Sequence, residues 1–287
     1  MDRRSRMLVL GCRGMLGTTA LRHFAARYEM SGRDLPEIDI TQPASIEEAL
    51  RDESPDVVLN CAAYTAVDDC ESQPERADSI NGVAPGLIAK ACDAAGALLV
   101  QISTDYVFDG RQQRPYIESD ATGPLSVYGR SKLRGEQEVR AVGGAHLIAR
   151  TAWLYGPGGR NFVETISRLL TTQPALRIVD DQHGSPTSTF ELCRQIEALL
   201  ATSCRGTYHT VCDGTCSWYD FALAIAAARQ SETPIAPCST GAFPRPAPRP
   251  ASSRLSTEKL QRDTDYRPTH WRAALTEYME ERWRPSS

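Results

Sequence analysis

The chain has 287 residues, 41% of them hydrophobic and 24% charged, which suits a soluble globular protein with ample core. Its formal net charge of −4 at pH 7 offers no basic surface for nucleic acid or for an anionic membrane. Nine cysteines without a Cys-x-x-Cys pair, Cys212 and Cys216 being the closest, fit neither a zinc site nor a disulfide scaffold.

Met7 to Leu10 is a short apolar run, read as a buried strand, and it leads into Gly11, Gly14 and Gly17. A strand, a G-x-x-G-x-x-G turn and then a helix is an arrangement that binds dinucleotides. The first glycine permits the tight turn, the second lets backbone approach a pyrophosphate, and the third permits close helix packing. The helix that follows carries Leu16, Ala20 and Phe24 on one stripe. The second strand ends around Glu29 to Asp34, where NAD-specific sites present an acid to the adenosine ribose. Here the acid is displaced and Arg33 stands beside it, a mild lean to NADPH over NADH, with Asp39 and Ile40 facing the adenine. Ser45 to Arg51 reads as a helix and Asp56 to Cys61 as a strand. Pro74 opens a long helix to about Ala95, interrupted near Pro85. Ala97 to Ser103 is strand, Tyr128 to about Val142 helix, and His146 to Arg150 strand again. This alternation predicts an α/β fold, a Rossmann-type doubly wound parallel sheet.

Tyr128 and Lys132 are the most informative pair. Four residues apart, they stack on one helical face. With ten tyrosines and only three lysines (Lys90, Lys132, Lys259) in the chain, chance gives roughly 0.1 such spacings. A phenol with a pKa of about 10 is a poor acid at neutral pH. A cation about 4 Å away favours the phenolate by roughly 4 kcal/mol. Lys132 is therefore expected to depress the Tyr128 pKa for proton transfer.

Beyond Trp153 the rhythm changes. Gly156 to Gly159 is loop, Asn161 to Leu170 helix, Arg177 to Asp180 a short strand, and Phe190 to Ala201 helix. Phe243 to Pro250 (FPRPAPRP) is an irregular loop that cannot lie inside a sheet. The expected division is a dinucleotide-binding part at 1–152 and a smaller, loop-rich substrate-binding lobe at 153–287. A segment near 180–215 is expected to return to the first part.

The glycine turn, Asn60 to Ala63, Ser103 to Phe108 and Tyr-x-x-x-Lys occur in the order of the extended short-chain dehydrogenase/reductases. Six segments resemble one family of them more closely, the dTDP-4-dehydrorhamnose reductases. They are AYTAVD (from Ala63), STDYVFDG (from Ser103), YGRSKLRGE (from Tyr128), RTAWLYG (from Arg150), DDQHGSPT (from Asp180) and RPASSRLSTEKL (from Arg249). The likeness runs over essentially the whole chain. It implies NAD(P)H-dependent reduction of the C4 ketone of dTDP-4-dehydro-L-rhamnose by a trio of Thr104, Tyr128 and Lys132. Thr104 would polarise the carbonyl, Tyr128 donate a proton, and Lys132 hold the nicotinamide ribose. By the same resemblance Gly14, Met15, Leu16, Asp39, Ile40, Ala63, Tyr64 and Thr65 would line the cofactor. Asp105, Tyr106 and Trp153 would meet the sugar or its nucleotide, and Arg249 is a candidate for the diphosphate.

One departure matters. Some family members are dimers bridged by magnesium, through a glutamate after the glycine motif and another after Pro-Thr. Here those positions are Thr19 and Phe190, with Glu191 adjacent, so no metal is expected and a homodimer stays open. Two alternatives accompany the main expectation: a reductase of another dTDP-4-keto-6-deoxysugar, and a non-catalytic subunit resembling the beta subunit of S-adenosylmethionine synthetase. With no signal-like segment and no run of about 18 apolar residues, the expected location is cytoplasmic.

Overall fold

The computed structural model describes residues 4–283. Five strands begin the main sheet: β1 (Arg6–Leu10), β2 (Glu29–Arg33), β3 (Val57–Asn60), β4 (Leu98–Thr104) and β5 (His146–Thr151). β6 (Leu176–Val179) lies apart, and β7 (Gly206–His209) rejoins the sheet beside β5, giving the order β7-β5-β4-β3-β1-β2 with every pair parallel. The principal helices are α1 (Met15–Phe24), α2 (Pro43–Glu53), α3 (Ala84–Ala95), α4 (Val127–Val142), α5 (Phe162–Thr172), α6 (Thr189–Leu200), α7 (Trp218–Ala228) and α8 (Trp271–Arg282).

Alternation along the strands sets the layers. Leu8 and Leu10 turn to one face with Val58, Leu99 and Ile148, beneath α2, α3 and α4. Met7 and Val9 turn to the other with Leu59, Val100 and Leu147, beneath α1 and α6. Both faces are covered, so the sheet is doubly wound, as the alternation of elements predicts. Residues 189–209 accordingly lie on the main sheet: α6 buries Leu192, Cys193, Ile196 and Leu199 there, and β7 extends its edge.

The helix expected from Pro74 to Ala95 contains a π turn at Asp78–Val83. Pro85 has no N–H to give to the Asn81 carbonyl. That carbonyl faces α4 at Gly135, where an added Cβ would lie 2.2 Å from it. The Asn81 side chain meanwhile accepts the Tyr64 N–H and donates to the Tyr64 carbonyl, both at 2.9 Å. The irregularity thus anchors the loop after β3 that borders the cleft.

The later half is more helical than the expected loop-rich lobe, and this is a correction. α5, α7 and α8 pack around Tyr155, Phe221, Trp271 and Tyr278, and β6 pairs in parallel with β8 (Ile235–Cys238). α7 opens on a Ser217–Asp220 capping box. Its alanine-rich run favours helix but shows no polar stripe, so periodicity alone does not mark it.

Candidate active site

Three cavities adjoin along the carboxyl ends of β1, β3 and β4, where the strand order reverses and such sheets bind ligands. The first, about 580 Å³, is walled by Asp39, Ile40, Ala63 and Tyr64. It shares Gly14 and Ala62 with a central cavity of about 560 Å³. That cavity shares Tyr106 and Trp153 with an outer one of about 770 Å³.

The three glycines of the turn do different work. Gly11 has φ of 74°, and a Cβ there would meet the Ala62 backbone at 2.7 Å. A Cβ on Gly17 would fall 2.2 Å from the Gly11 carbonyl oxygen. These two glycines let the turn press against β3 and the helix press against the turn. Gly14 is less crowded, although a Cβ there would still lie a tight 3.3 Å from the Gly11 carbonyl oxygen, and it lines both inner cavities. As N-cap of α1 it offers no side chain, and the first turn has no acid. The N–H groups of Met15 and Leu16 and the positive end of the helix are left for an anion. A dinucleotide diphosphate fits this cradle.

At the adenine end, Asp39 accepts the Thr41 N–H at 2.9 Å and its hydroxyl at 2.7 Å, shaping the turn that presents Ile40. Asp34 accepts from the N–H groups of Arg13 and Leu35, both at 2.9 Å. Arg33, which prompted the lean to NADPH, is ion-paired with Glu53 on α2 and does not line the cavity. Arg33 therefore offers no free guanidinium to a 2′-phosphate here. Thr65 lines the central cavity.

β4 delivers Thr104 and α4 delivers Tyr128 and Lys132. Ser126 caps α4 by accepting the Gly129 N–H at 3.1 Å. A Cβ at Gly129 would lie 2.3 Å from the Tyr106 carbonyl, so glycine lets this helix lie against the loop after β4. All three side chains are buried and line the central cavity with Asp105, Tyr106 and Trp153. Lys132 Nζ donates to the Ile102 carbonyl at 2.7 Å. Thr104 Oγ1 donates to Asp105 Oδ1 at 2.9 Å and accepts the Tyr106 N–H at 3.2 Å.

The electrostatics reverse one expectation. Burial pushes the Tyr128 phenol up, the Asp105 carboxylate adds to this, and the Thr104 hydroxyl opposes it. Lys132 is itself pulled down to about 8 by burial, against the pull of Glu136. The lysine, turned to the Ile102 carbonyl, is not among the leading influences on the phenol, and burial keeps Tyr128 protonated at neutral pH. Asp105 is pushed up to about 6, again by burial, with the Ser253 and Thr104 hydroxyls favouring its charge. Its Oδ2 is buried and makes no hydrogen bond to a described residue.

Three contributors are absent from the sequence reading. Glu136, one turn beyond Lys132, is buried and accepts from Ser103, Arg140 and both Nε and Nη2 of Arg150. Its signal was the continued four-residue spacing, Tyr128, Lys132, Glu136. Trp153 holds a left-handed φ of 48°, a strained setting for a non-glycine residue. It stacks on Trp218 with ring centroids 3.5 Å apart and planes 7° apart. A Cβ at Gly184 would lie 2.6 Å from the same ring. Neither Trp218 nor Gly184 carries a sequence signal that ties it to Trp153.

Arg249 lines the outer cavity but pairs with Asp68 Oδ1 at 2.8 Å and donates to the Ala247 carbonyl at 2.7 Å. Thr19 hydrogen-bonds Thr189 at 2.9 Å, and Phe190 packs against the later core. Glu191 is buried and accepts from Arg194, Gln195, Tyr266 and the Thr269 N–H. Its carboxylate is turned into the fold.

The sequence profile of the RmlD substrate binding domain matches residues 5–283. A dTDP-4-dehydrorhamnose reductase of Streptomyces griseus is 43% identical over 286 residues, 96% of this chain and 93% of that protein. The spore coat polysaccharide biosynthesis protein SpsK of Bacillus subtilis (strain 168) is 40% identical over 279 residues, 97% of this chain and 98% of that one. Among solved structures, the dTDP-4-dehydrorhamnose reductase of Bacillus anthracis str. Ames in complex with NADP aligns with a TM-score of 0.95 at 34% identity. The alignment covers 97% of this chain and 100% of that one.

Proposed function

The chain belongs to the RmlD substrate binding domain family, and from that premise we propose that it reduces the C4 ketone of dTDP-4-dehydro-L-rhamnose to give dTDP-L-rhamnose. The observation that carries this reading is the meeting of Thr104, Tyr128 and Lys132 in the cavity that also holds Gly14 and the open end of α1. The cofactor is NADPH or NADH; the NADP-bound relative supports the phosphorylated form. We include a cytoplasmic location in the proposal; among the described residues no helix is long and apolar enough to cross a membrane.

When bound, the reduced nicotinamide supplies a hydride to the ketone carbon. The residues of the chain supply the proton and the setting. Tyr128 gives its phenolic proton to the carbonyl oxygen as that oxygen gains charge, so the product is a secondary alcohol and the tyrosine is left as phenolate. Lys132 orients the nicotinamide ribose, and its charge stabilises that phenolate. Thr104, whose hydroxyl otherwise donates to Asp105, turns it to the same oxygen once the ketone is bound. Trp153 walls the sugar from water, with Asp105 and Tyr106 beside it. Gly11 to Gly17, Asp39, Ile40 and Ala63 to Thr65 hold the dinucleotide.

The test follows loss of reduced-nicotinamide absorbance with dTDP-4-dehydro-6-deoxy-L-mannose generated in situ. Oxidation of NADPH or NADH is expected. No oxidation of either would overturn the proposal in favour of a non-catalytic subunit. Turnover confined to a different dTDP-4-keto-6-deoxysugar would reassign the substrate.

A further inference from the structure

The loop 156–160 belongs to the later half of the chain, yet it lies over the amino end of α1. A Cβ on Gly159 would sit 3.0 Å from the Met15 Cβ. Asn161 pins the loop there. Its Nδ2 donates to the carbonyls of Gly156 at 2.9 Å and Gly159 at 3.3 Å, and lies 3.7 Å from the Met15 sulfur. Its Oδ1 accepts the Glu164 N–H at 3.0 Å and so caps α5. The residue between these two anchors is Arg160, which lines the central cavity together with Gly14, Met15 and Gly17.

Arg160 is exposed and makes no ion pair or hydrogen bond to another described residue. Of the other cations around the cleft, Arg177 likewise has no ion pair or side-chain hydrogen bond to a described residue, but it lines only the outer cavity, whose walls include none of the turn glycines; the rest are committed. Arg13 is held by Glu37 and the Leu35 carbonyl, Arg33 by Glu53, Arg249 by Asp68, and Lys132 by the Ile102 carbonyl. The start of α1 has neither a capping side chain nor an acid. A helix end is worth roughly half a positive charge, whereas a dinucleotide diphosphate carries two negative ones. The cradle alone leaves most of that charge uncompensated, and a guanidinium matches phosphate oxygens in bidentate geometry.

We propose that Arg160 clamps the diphosphate of the bound dinucleotide from the side opposite the glycine turn. The inference rests on the functional reading above, and it makes the later half of the chain a contributor to cofactor binding.

Titration of the intact chain with NADPH and with NADH, without sugar, tests it by tryptophan fluorescence. Arg160→Ala is expected to raise both Kd values about tenfold, the low end for a charge-assisted hydrogen bond at an exposed site, and to weaken their salt dependence. Arg160→Lys is expected to recover part of the loss. The melting temperature is expected to hold, because the side chain is exposed and unpaired. Unchanged Kd values in Arg160→Ala would remove the clamp and leave the reductase reading intact. A loss confined to NADPH would move the contact to the 2′-phosphate. A raised sugar KM with unaltered cofactor Kd would move it to the substrate diphosphate. Either result overturns the inference. Failure of the unaltered chain to bind either cofactor would remove the functional reading along with it.

Discussion

Replacing Glu136 by glutamine is expected to cost stability and to change the titration of the site, through one carboxylate. Glu136 is buried, and so is Arg150, which reaches its two oxygens at 2.9 and 2.8 Å. Glutamine preserves the volume but leaves the Arg150 charge without its counterpart. Breaking a buried pair of this kind costs about 3–5 kcal/mol. At about 2 °C per kcal/mol for a chain of this length, the melting temperature at pH 7 is expected to fall by roughly 6–10 °C. The sign with pH follows from the Glu136 carboxyl, which Arg150 holds below its ordinary value of 4.5 against the cost of burial. Its contribution is complete above that value and fades as pH falls through the lower folded one, so the two proteins are expected to converge in acid. Glu136 also holds the Lys132 pKa up against burial. Without it, the lysine pKa drops further, below about 8, so its charge is lost at a lower pH as the pH rises, and the alkaline limb of the kcat/KM profile moves to lower pH. Thermal denaturation at several pH values and a pH–rate profile measure both arms. A melting point within about 2 °C of the parent at pH 7 would refute the stability argument, and an unmoved alkaline limb would refute the link to Lys132.

Three other substitutions probe the cleft. Tyr128→Phe is expected to lower kcat by about 10²- to 10⁴-fold with little change in cofactor Kd; parental turnover would contradict its role as proton donor. Asp105→Asn is expected to raise stability at pH 8, because moving a carboxyl from 3.8 to about 6 corresponds to about 3 kcal/mol at roughly 1.36 kcal/mol per pH unit. The raised carboxyl destabilises the fold only when charged, so the gain should vanish below pH 3.8 or so; a gain of equal size in acid would show another cause. Gly184→Ala sets a methyl 2.6 Å from the Trp153 ring, and overpacking of this kind costs about 1–3 kcal/mol. The expected result is a lower melting point with a raised sugar KM, and an unaltered KM would separate Trp153 from substrate binding.

The Rossmann-type half was legible because its signals are local. Apolar strand runs, the glycine turn and the Tyr-x-x-x-Lys spacing each lie within a few residues, and the fold brings the turn and the α4 pair to one cavity. The rest depends on contacts distant in sequence. Arg33 looked available until Glu53 was seen to hold it. Trp153 is positioned by Gly184 and Trp218, and no local pattern links three residues so far apart. Helix α7 was missed for a different reason. Its S-W-Y-D start is a readable capping box, but its exposed positions are Leu223, Ala227 and Ala228, so it lacks the polar face that periodicity detects.

The reversal at Tyr128 bears on how the proposed proton transfer is timed. Sequence spacing places Lys132 one turn away, but it does not say which acceptor the ammonium will face. The Ile102 carbonyl takes it at 2.7 Å, and burial then governs the phenol. A tyrosine depressed in advance would stand partly ionised, and the ionised fraction could not donate. A buried neutral phenol keeps its proton until a stronger base appears, and the developing alkoxide of a reduced ketone is such a base. The lysine charge then matters most after the proton has left, when a phenolate has formed in a site of low polarity. The same burial that raises the Tyr128 pKa and lowers that of Lys132 to about 8 therefore disfavours charge separation at rest and strengthens the attraction once it occurs. In the proposed mechanism the pair stabilises the state after transfer rather than preparing the acid beforehand.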